Sequence, residues 1–298
     1  MNSSPETAIA GFDEEFMRKL EYLALVSKRF SGQLKAERRT RKLGSGLEFA
    51  DYRGYVPGDD FRYLDWKTYL RLDKLLLRLY EEEQDLPIYL FLDCSQSMAY
   101  GHPAKIDYAK KVAAALCYVG LANLDRVTAI TYSNGIQNQL SPQRGKNQVF
   151  RVFRFLSEAG ASGETHGEEA FKVFSTGNRR RGLAVVISDF LDPHGFAGGL
   201  NMLRYYKHDV FAIHVVARED LEPAVRGQVE LIDSESHQAR EVTITPELLE
   251  AYKSEMRRFS EDIRRHCLKY QLGYAQTVTS FPFEDLILEV FRQGRFLK

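Results

Sequence analysis

The chain has 298 residues, 44% apolar and 28% charged, which is enough apolar material for one large core or two modest ones and excludes a disordered chain. Lysine plus arginine equals aspartate plus glutamate, 41 each, so no global field draws the protein to nucleic acid or to an anionic membrane, and charge recognition has to come from local clusters. No apolar run reaches the length of a membrane span, the start "MNSSPETAIAGFDEEF" has neither a basic nor an apolar leader region, and Cys94, Cys117 and Cys267 are too scattered for a disulfide framework or a cysteine-rich zinc site. A reducing cytoplasm is the expected location.

Taken in chain order, Phe12, Phe16, Leu20 and Leu23 recur at helical spacing and predict an amphipathic helix over about 12–28. The stretch "KRFSGQLKAERRTRKLGSG" sets seven basic residues against Glu37 and ends in glycines, which predicts a solvated basic connector. The segment "FADYRGYVPGDDFRYLDWKTYLRLDKLLLRLYEEEQ" mixes aromatics and charges around a Pro-Gly turn and ends in a strand. From 85 onward the pattern becomes regular. "IYLFLD", "RVTAITYS", "GLAVVISDF" and "HDVFAIHVV" are short apolar runs suited to strands buried on both faces. Helices are expected over 104–122, "NQVFRVFRFLSEA" and "EEAFKVFST". "QVELIDSES" and "REVTITP" suggest a strand pair, Thr245-Pro246 opens a helix, and a strand at 273–279 with a helix at 283–292 closes the chain. The alternation predicts an α/β fold, a doubly wound, mostly parallel sheet flanked by helices. Two parts are expected: an N-terminal helical and extended module over 1–84, and the α/β domain over 85–298.

The first apolar strand runs into "DCSQSM", with Asp93, Ser95 and Ser97 at alternate positions. Ligands of open α/β sheets bind at the carboxyl ends of strands, and one carboxylate with two hydroxyls offers hard oxygens suited to Mg²⁺ or Mn²⁺. The bland alternative is that these residues only cap the following helix. Two further oxygen donors fall at strand-to-helix loops of the same sheet end, Thr165 in "SGETHGEEA" and Asp189 after "LAVVIS". That conjunction favours a metal site.

Asp93, Ser95, Ser97, Thr165 and Asp189 resemble the metal-ion-dependent adhesion site of von Willebrand factor A domains. The segment "GLEFADYRGYVPGDDFRYLDWKTYLRLDKLLLRLYEEEQDLPIYLFLDCSQSM" is similar to the signature of the bacterial family called domain of unknown function 58. The loop "GETHGEEA" departs from the usual Gly-Gly-Thr of A domains at Thr165. The resemblance implies a von Willebrand factor A-like domain without catalysis of its own, in which bound Mg²⁺ or Mn²⁺ takes a sixth ligand from a partner's Asp or Glu. It also implies an adaptor or regulator working with a MoxR-type AAA+ ATPase in a chaperone-like complex.

Two other readings stand beside it. Asp93 could serve a Mg²⁺-dependent phosphohydrolase, although Ser95 stands where such an enzyme wants a second acid. A metal-free structural adaptor would use the loop residues only as caps. Cys94 has no phosphate-cradling arginine after it and is expected to be a packed thiol; neither a G-x-S-x-G elbow nor a G-x-x-x-x-G-K-[ST] loop occurs. His102, His166 and His194 are expected on the surface, His166 beside Thr165. The crowded "YVPGDDFRYLDW" reads either as a partner surface or as a structural unit in which Asp and Arg residues pair and Trp66 is buried, and the structural role is favoured.

Overall fold

The fold is that of a computed structural model, which describes residues 12–38, 40–43, 48–82, 87–177, 180–232 and 239–293. In chain order the elements are α1 (Glu14–Arg38), β1 (Thr40–Leu43), β2 (Glu48–Gly54), α2 (Trp66–Leu72), β3 (Leu76–Glu82), β4 (Pro87–Asp93), α3 (Lys105–Ala122), β5 (Arg126–Tyr132), β6 (Ile136–Gln139), α4 (Val149–Ser157), α5 (Gly167–Gly177), β7 (Leu183–Ser188), α6 (Phe196–Tyr205), β8 (Asp209–Val216), α7 (Arg218–Leu221), β9 (Gly227–Ile232), β10 (Ala239–Ile244), α8 (Pro246–Lys269), β11 (Gly273–Val278) and α9 (Phe283–Arg292). They form two compact units, Met1–Lys28 with Leu86–Phe296, and Arg29–Asp85 with Leu297–Lys298.

The larger unit is built on a six-stranded sheet of order β11-β8-β7-β4-β5-β6. Every pairing is parallel except β5 with the edge strand β6. Strands β4, β5, β7 and β8 are almost wholly buried, as apolar runs must be when helices cover both faces of a parallel sheet. On one face Tyr89 and Phe91 pack with Phe171 and Phe174 of α5, Leu200 and Leu203 of α6, and Ile263 and Cys267 of α8. The alternate residues of β4, Ile88, Leu90 and Leu92, are equally buried and by strand alternation belong to the other face. There α3 lies so close that a Cβ on Gly120 would come within 2.9 Å of Ile88 Cδ1.

The N-terminal helix joins this second face. Phe16, Leu20, Leu23 and Ala24 of α1 are buried, Phe12 stacks on Phe153 of α4 with centroids 4.7 Å apart, and Phe16 lies 5.0 Å from Phe283 of α9. Lys19 bonds Glu284 at 2.8 Å beside them. The helix does not stop near 28 as its apolar spacing predicts but continues to Arg38, and Thr40–Leu43 is a strand. Lys, Arg, Gln, Glu, Ala and Leu are all good helix formers, so a run of charge after the amphipathic stretch does not end a helix. The connector reading is corrected to that extent. Its glycines at 44 and 46 lie outside the described residues, as does the chain start up to residue 11 and the tail of the expected "QVELIDSES" strand. Sequence periodicity also passes over β6, α6, α2, β1 and β2. The helix α6 was missed because "FAGGLNMLRY" carries two glycines, which count against a helix.

The smaller unit holds an antiparallel sheet of order β1-β3-β2 and α2. Val56-Pro57-Gly58-Asp59 is a turn closed by Asp59 N–H donating to Val56 O at 3.0 Å, with Gly58 at φ +107°, a conformation that a side chain would strain. The expected Asp–Arg pairs form: Arg53 with Asp59 at 2.7 Å and Arg62 with Asp60 at 2.6 Å. Asp65 is the hub. It caps α2 by accepting from Lys67 N and Thr68 N, and it also takes Tyr52 OH at 2.8 Å, Thr68 Oγ1 at 2.9 Å and Arg78 Nε at 2.9 Å. The Arg78 guanidinium, then the hydroxyl donors, hold its carboxyl well below the usual carboxylate range. Trp66, expected to be buried, is 55% exposed: as the first residue of α2 its direction is set by the Asp65 cap, and the short helix buries none of its side chains.

Two outcomes follow. Phe153→Ala opens a cavity against Phe12 and Phe16 and should cost about 3–5 kcal/mol in denaturant unfolding, whereas Phe150→Ala on the exposed side of α4 should cost no more than about 0.5 kcal/mol. Because the folded Asp65 carboxyl lies below its unfolded value, its stabilisation is fully present above about pH 4 and is lost as pH falls through the folded value. Asp65→Asn should therefore unfold more readily than wild type at neutral pH, with the gap closing in acid, as read by fluorescence of the single tryptophan, Trp66.

Candidate functional site at the topological switch point

Strand β4 is where the sheet changes direction: the chain proceeds to β5 on one side and reaches β7, β8 and β11 on the other. The loops leaving β4 and β7 therefore diverge and open a crevice at their carboxyl ends, the place where ligands bind in such sheets. Asp93 is the last residue of β4, Ser188 the last of β7, and the register Leu92↔Ile187 sets them side by side.

Asp93 is fully buried. Its Oδ1 accepts from Ser95 N at 2.9 Å and its Oδ2 from Ser188 Oγ at 2.5 Å. Ser188 Oγ in turn accepts Phe190 N–H at 2.8 Å, and Phe190 sits at φ +58°, an uncommon conformation for a bulky residue. Burial first, and the negative charge of Asp189 second, push the Asp93 carboxyl up to about 7. Among the described residues Asp93 forms no ion pair, so its carboxylate form would gain from a cation placed against it.

Ser95 and Ser97 follow on the turn that leaves β4, both buried, with their Oγ atoms 3.0 Å apart. That separation is a hydrogen bond between the two hydroxyls, and both oxygens are hard donors of the kind a Mg²⁺ ion would take. The segment carrying Thr165 is tied to this turn by two backbone bonds, Gln96 N to Gly163 O at 2.9 Å and Ser162 N to Cys94 O at 2.7 Å. Thr165 itself is buried. The next two residues fasten the segment to β5 and to the loop after β7, through His166 N to Ser133 O and Gly167 N to Asp192 Oδ2, both 2.9 Å.

Asp189 is buried beside Ser188, but its oxygens are engaged. Oδ1 accepts Leu191 N–H at 3.1 Å, and Oδ2 accepts Lys105 Nζ at 2.7 Å. Lys105 is the first residue of α3, its side chain 1% exposed, and its ammonium also reaches Asp220 Oδ2 at 3.3 Å. Asp220 accepts Ala217 N–H at 2.9 Å, where the end of β8 meets the loop before α3. A Cβ on Gly101, at φ +99°, would sit 2.6 Å from Ala217 Cβ; only glycine lets these segments close to this distance. Burial opposes the Lys105 ammonium, yet Asp189 and Asp220 hold its pKa above the usual value. On β8, burial pushes His214 down to about 4, and its Nδ1 lies 3.1 Å from Tyr274 OH.

The five residues singled out from sequence are thus all buried at one end of the sheet, with Asp93, Ser95 and Ser97 on one continuous turn and Asp189 neutralised from the α3 side. Among the described residues no group of three or more His, Cys, Asp or Glu side chains is arranged to hold a metal; a cation here would lean on serine oxygens as much as on carboxylates. Burial pushes the Cys94 thiol up to about 12, which removes it as a nucleophile at neutral pH. His102 and His194 are exposed, and His194 stacks on His166 with ring centroids 4.1 Å apart. Sequence reading missed Ser188, Lys105 and Asp220. A serine closing the apolar run "LAVVIS" was a usable signal, and so was a lysine at a helix N-terminus, where the helix dipole disfavours positive charge. Asp220 offered none.

Among known proteins, the chain is 28% identical over 247 residues to the uncharacterized protein Rv1480 of Mycobacterium tuberculosis, covering 80% of this chain and 77% of that one. It is 37% identical over 87 residues to the uncharacterized protein MAV169 of Mycobacterium avium, 29% of this chain and 51% of that one. Among solved structures it is similar to the conserved hypothetical protein BatB from Bacteroides thetaiotaomicron (16% identity, TM-score 0.44, 70% of this chain and 98% of that one). It is also similar to an aerotolerance-related membrane protein from Bacteroides fragilis (14%, TM-score 0.47, 71% and 98%). No helix among the described residues is long and apolar enough to cross a membrane. The model of the family described as "Protein of unknown function DUF58" matches residues 51–262, well over half of the chain, and the chain belongs to that family.

Proposed function

We propose that the protein is a non-enzymatic, metal-dependent protein-binding module, a von Willebrand factor A-like domain whose crevice holds Mg²⁺ or Mn²⁺. The observation that carries this reading is the cluster of buried oxygen donors where β4 ends, the hydrogen-bonded hydroxyls of Ser95 and Ser97 beside the Asp93 carboxyl, which forms no ion pair among the described residues. Asp93, Ser95 and Ser97 are the primary donors in this scheme, with Thr165 and Asp189 completing the shell directly or through water. Bound metal would present an open coordination position to an incoming Asp or Glu. The chain's own residues supply the rest: Ser188 orients Asp93 through its hydroxyl, and the backbone bonds around Cys94, Gln96 and Gly163 hold the hydroxyl turn in place.

A carboxylate-bearing protein is the partner that suits such a centre, and a MoxR-type AAA+ ATPase, with this chain as adaptor or regulator in a chaperone-like complex, is the partner we propose from family resemblance. The cytoplasm is the corresponding location. Nothing in the crevice suits hydrolysis better than binding: Ser95 occupies the position where a phosphohydrolase would carry its general acid, and the one cysteine at hand is a buried neutral thiol.

Mg²⁺ or Mn²⁺ titration should raise the melting temperature of the wild type, since a ligand at 100 times its Kd stabilises the native state by about 2.7 kcal/mol. Asp93→Ala should remain folded and show no metal-dependent rise, and it should lose binding to the ATPase in a pull-down that EDTA also abolishes for the wild type. A metal-dependent rise of equal size in the two proteins would sink the proposed site.

A further inference from the structure

The crevice contains a cation of the protein's own. Lys105 carries two penalties at once: its side chain is 1% exposed, where an ammonium is costly unless paired, and the first turn of a helix is the wrong end for a positive charge. Such a residue stays charged only where carboxylates hold it, and it is held by two, Asp189 at 2.7 Å and Asp220 at 3.3 Å. Asp189 belongs to the loop that ends β7 and Asp220 to α7 after β8, so the ammonium ties α3 to the ends of two neighbouring strands. Three buried carboxyl groups, those of Asp93, Asp189 and Asp220, lie at this end of the sheet with the Lys105 ammonium, and the ammonium contacts two of them. The ammonium takes Oδ2 of Asp189 while Leu191 N–H takes Oδ1, whereas the donors to Asp93 among the described residues are neutral groups of Ser95 and Ser188.

We propose that Lys105 is a tethered counter-cation of this centre: it keeps Asp189 out of direct coordination and thereby weakens divalent-cation binding at Asp93, Ser95 and Ser97. The inference rests on the metal-binding reading of the crevice and adds to it a residue that sets the affinity. A centre tuned in this way binds its metal firmly only when a partner carboxylate adds to the negative charge, so metal and partner strengthen each other's binding. Lys105 acts here through Asp189 and is a positioning residue.

The test is calorimetric titration of MgCl₂ into the full chain for wild type, Lys105→Met, Lys105→Gln and Lys105→Arg, with Lys110→Met as a control that removes a less buried cation from the same helix. Removing the buried charge should tighten Mg²⁺ binding about tenfold or more in Lys105→Met and Lys105→Gln, while Lys105→Arg stays within about threefold of wild type and Lys110→Met within about twofold. Lys105→Gln keeps a donor toward Asp189 and guards against a Met variant that fails to fold. Adding Asp93→Ala to Lys105→Gln should abolish the gain, which assigns it to this crevice. Binding seen only after Lys105 is neutralised supports the proposal equally. Binding of equal strength in wild type and both neutral variants, with only a lower melting temperature, overturns it and leaves the metal reading intact. Absence of binding in wild type and neutral variants alike overturns both.

Discussion

The constraint on which the larger unit depends is the burial of Asp93 at the centre of the sheet. A carboxylate with no access to water is tolerated only where donors surround it, and here they come from one neighbouring strand and one turn: Ser188 from β7, and Ser95 from the chain just after β4. That requirement couples the parallel register of β4 with β7 to the conformation of both following loops. It also accounts for Phe190 at φ +58°, since the hydroxyl that serves Asp93 is oriented by accepting the Phe190 N–H, and the strain is of the kind that over-determined sites sustain.

The same region shows how the two faces of the sheet meet at its end. Helix α3 belongs to one face, yet its first residue sends an ammonium past the sheet edge to carboxylates on loops that follow β7 and β8. The close approach of Gly101 to Ala217 gives this bridge its short span. On the other side Asp192 links the loop after β7 to the start of α5. Backbone and side-chain bonds therefore fix the loops that frame the crevice.

The smaller unit repeats the principle with a more conventional solution. Asp65, too, is a buried carboxylate, but a guanidinium, two hydroxyls and two backbone N–H groups surround it. Its pKa is driven down and that of Asp93 up. The contrast lies in the cation: Arg78 faces Asp65, whereas Lys105 faces Asp189 and, among the described residues, no ion pair reaches Asp93.

Much of this was legible without coordinates. Four apolar runs of strand length, alternating in part with segments of helical period, specified a mostly parallel sheet between helices, because only strands covered on both faces lack polar alternation. Asp93, Ser95, Ser97, Thr165 and Asp189 stood out because oxygen donors clustered where those runs end. Local chemistry misled in other places: the charge after Lys28 concealed a continuing helix, two glycines concealed α6, and Trp66 was taken for a core residue although a cap turns it outward. Apolar period and motif position were thus properties of the chain itself. Which charges face each other was not. Lys105, Asp189 and Asp220 are separated by 84 residues in one pairing and brought within 3.3 Å in the other only by strand order, and the pairing energy of buried charges depends on distance and surroundings that no stretch of sequence encodes locally.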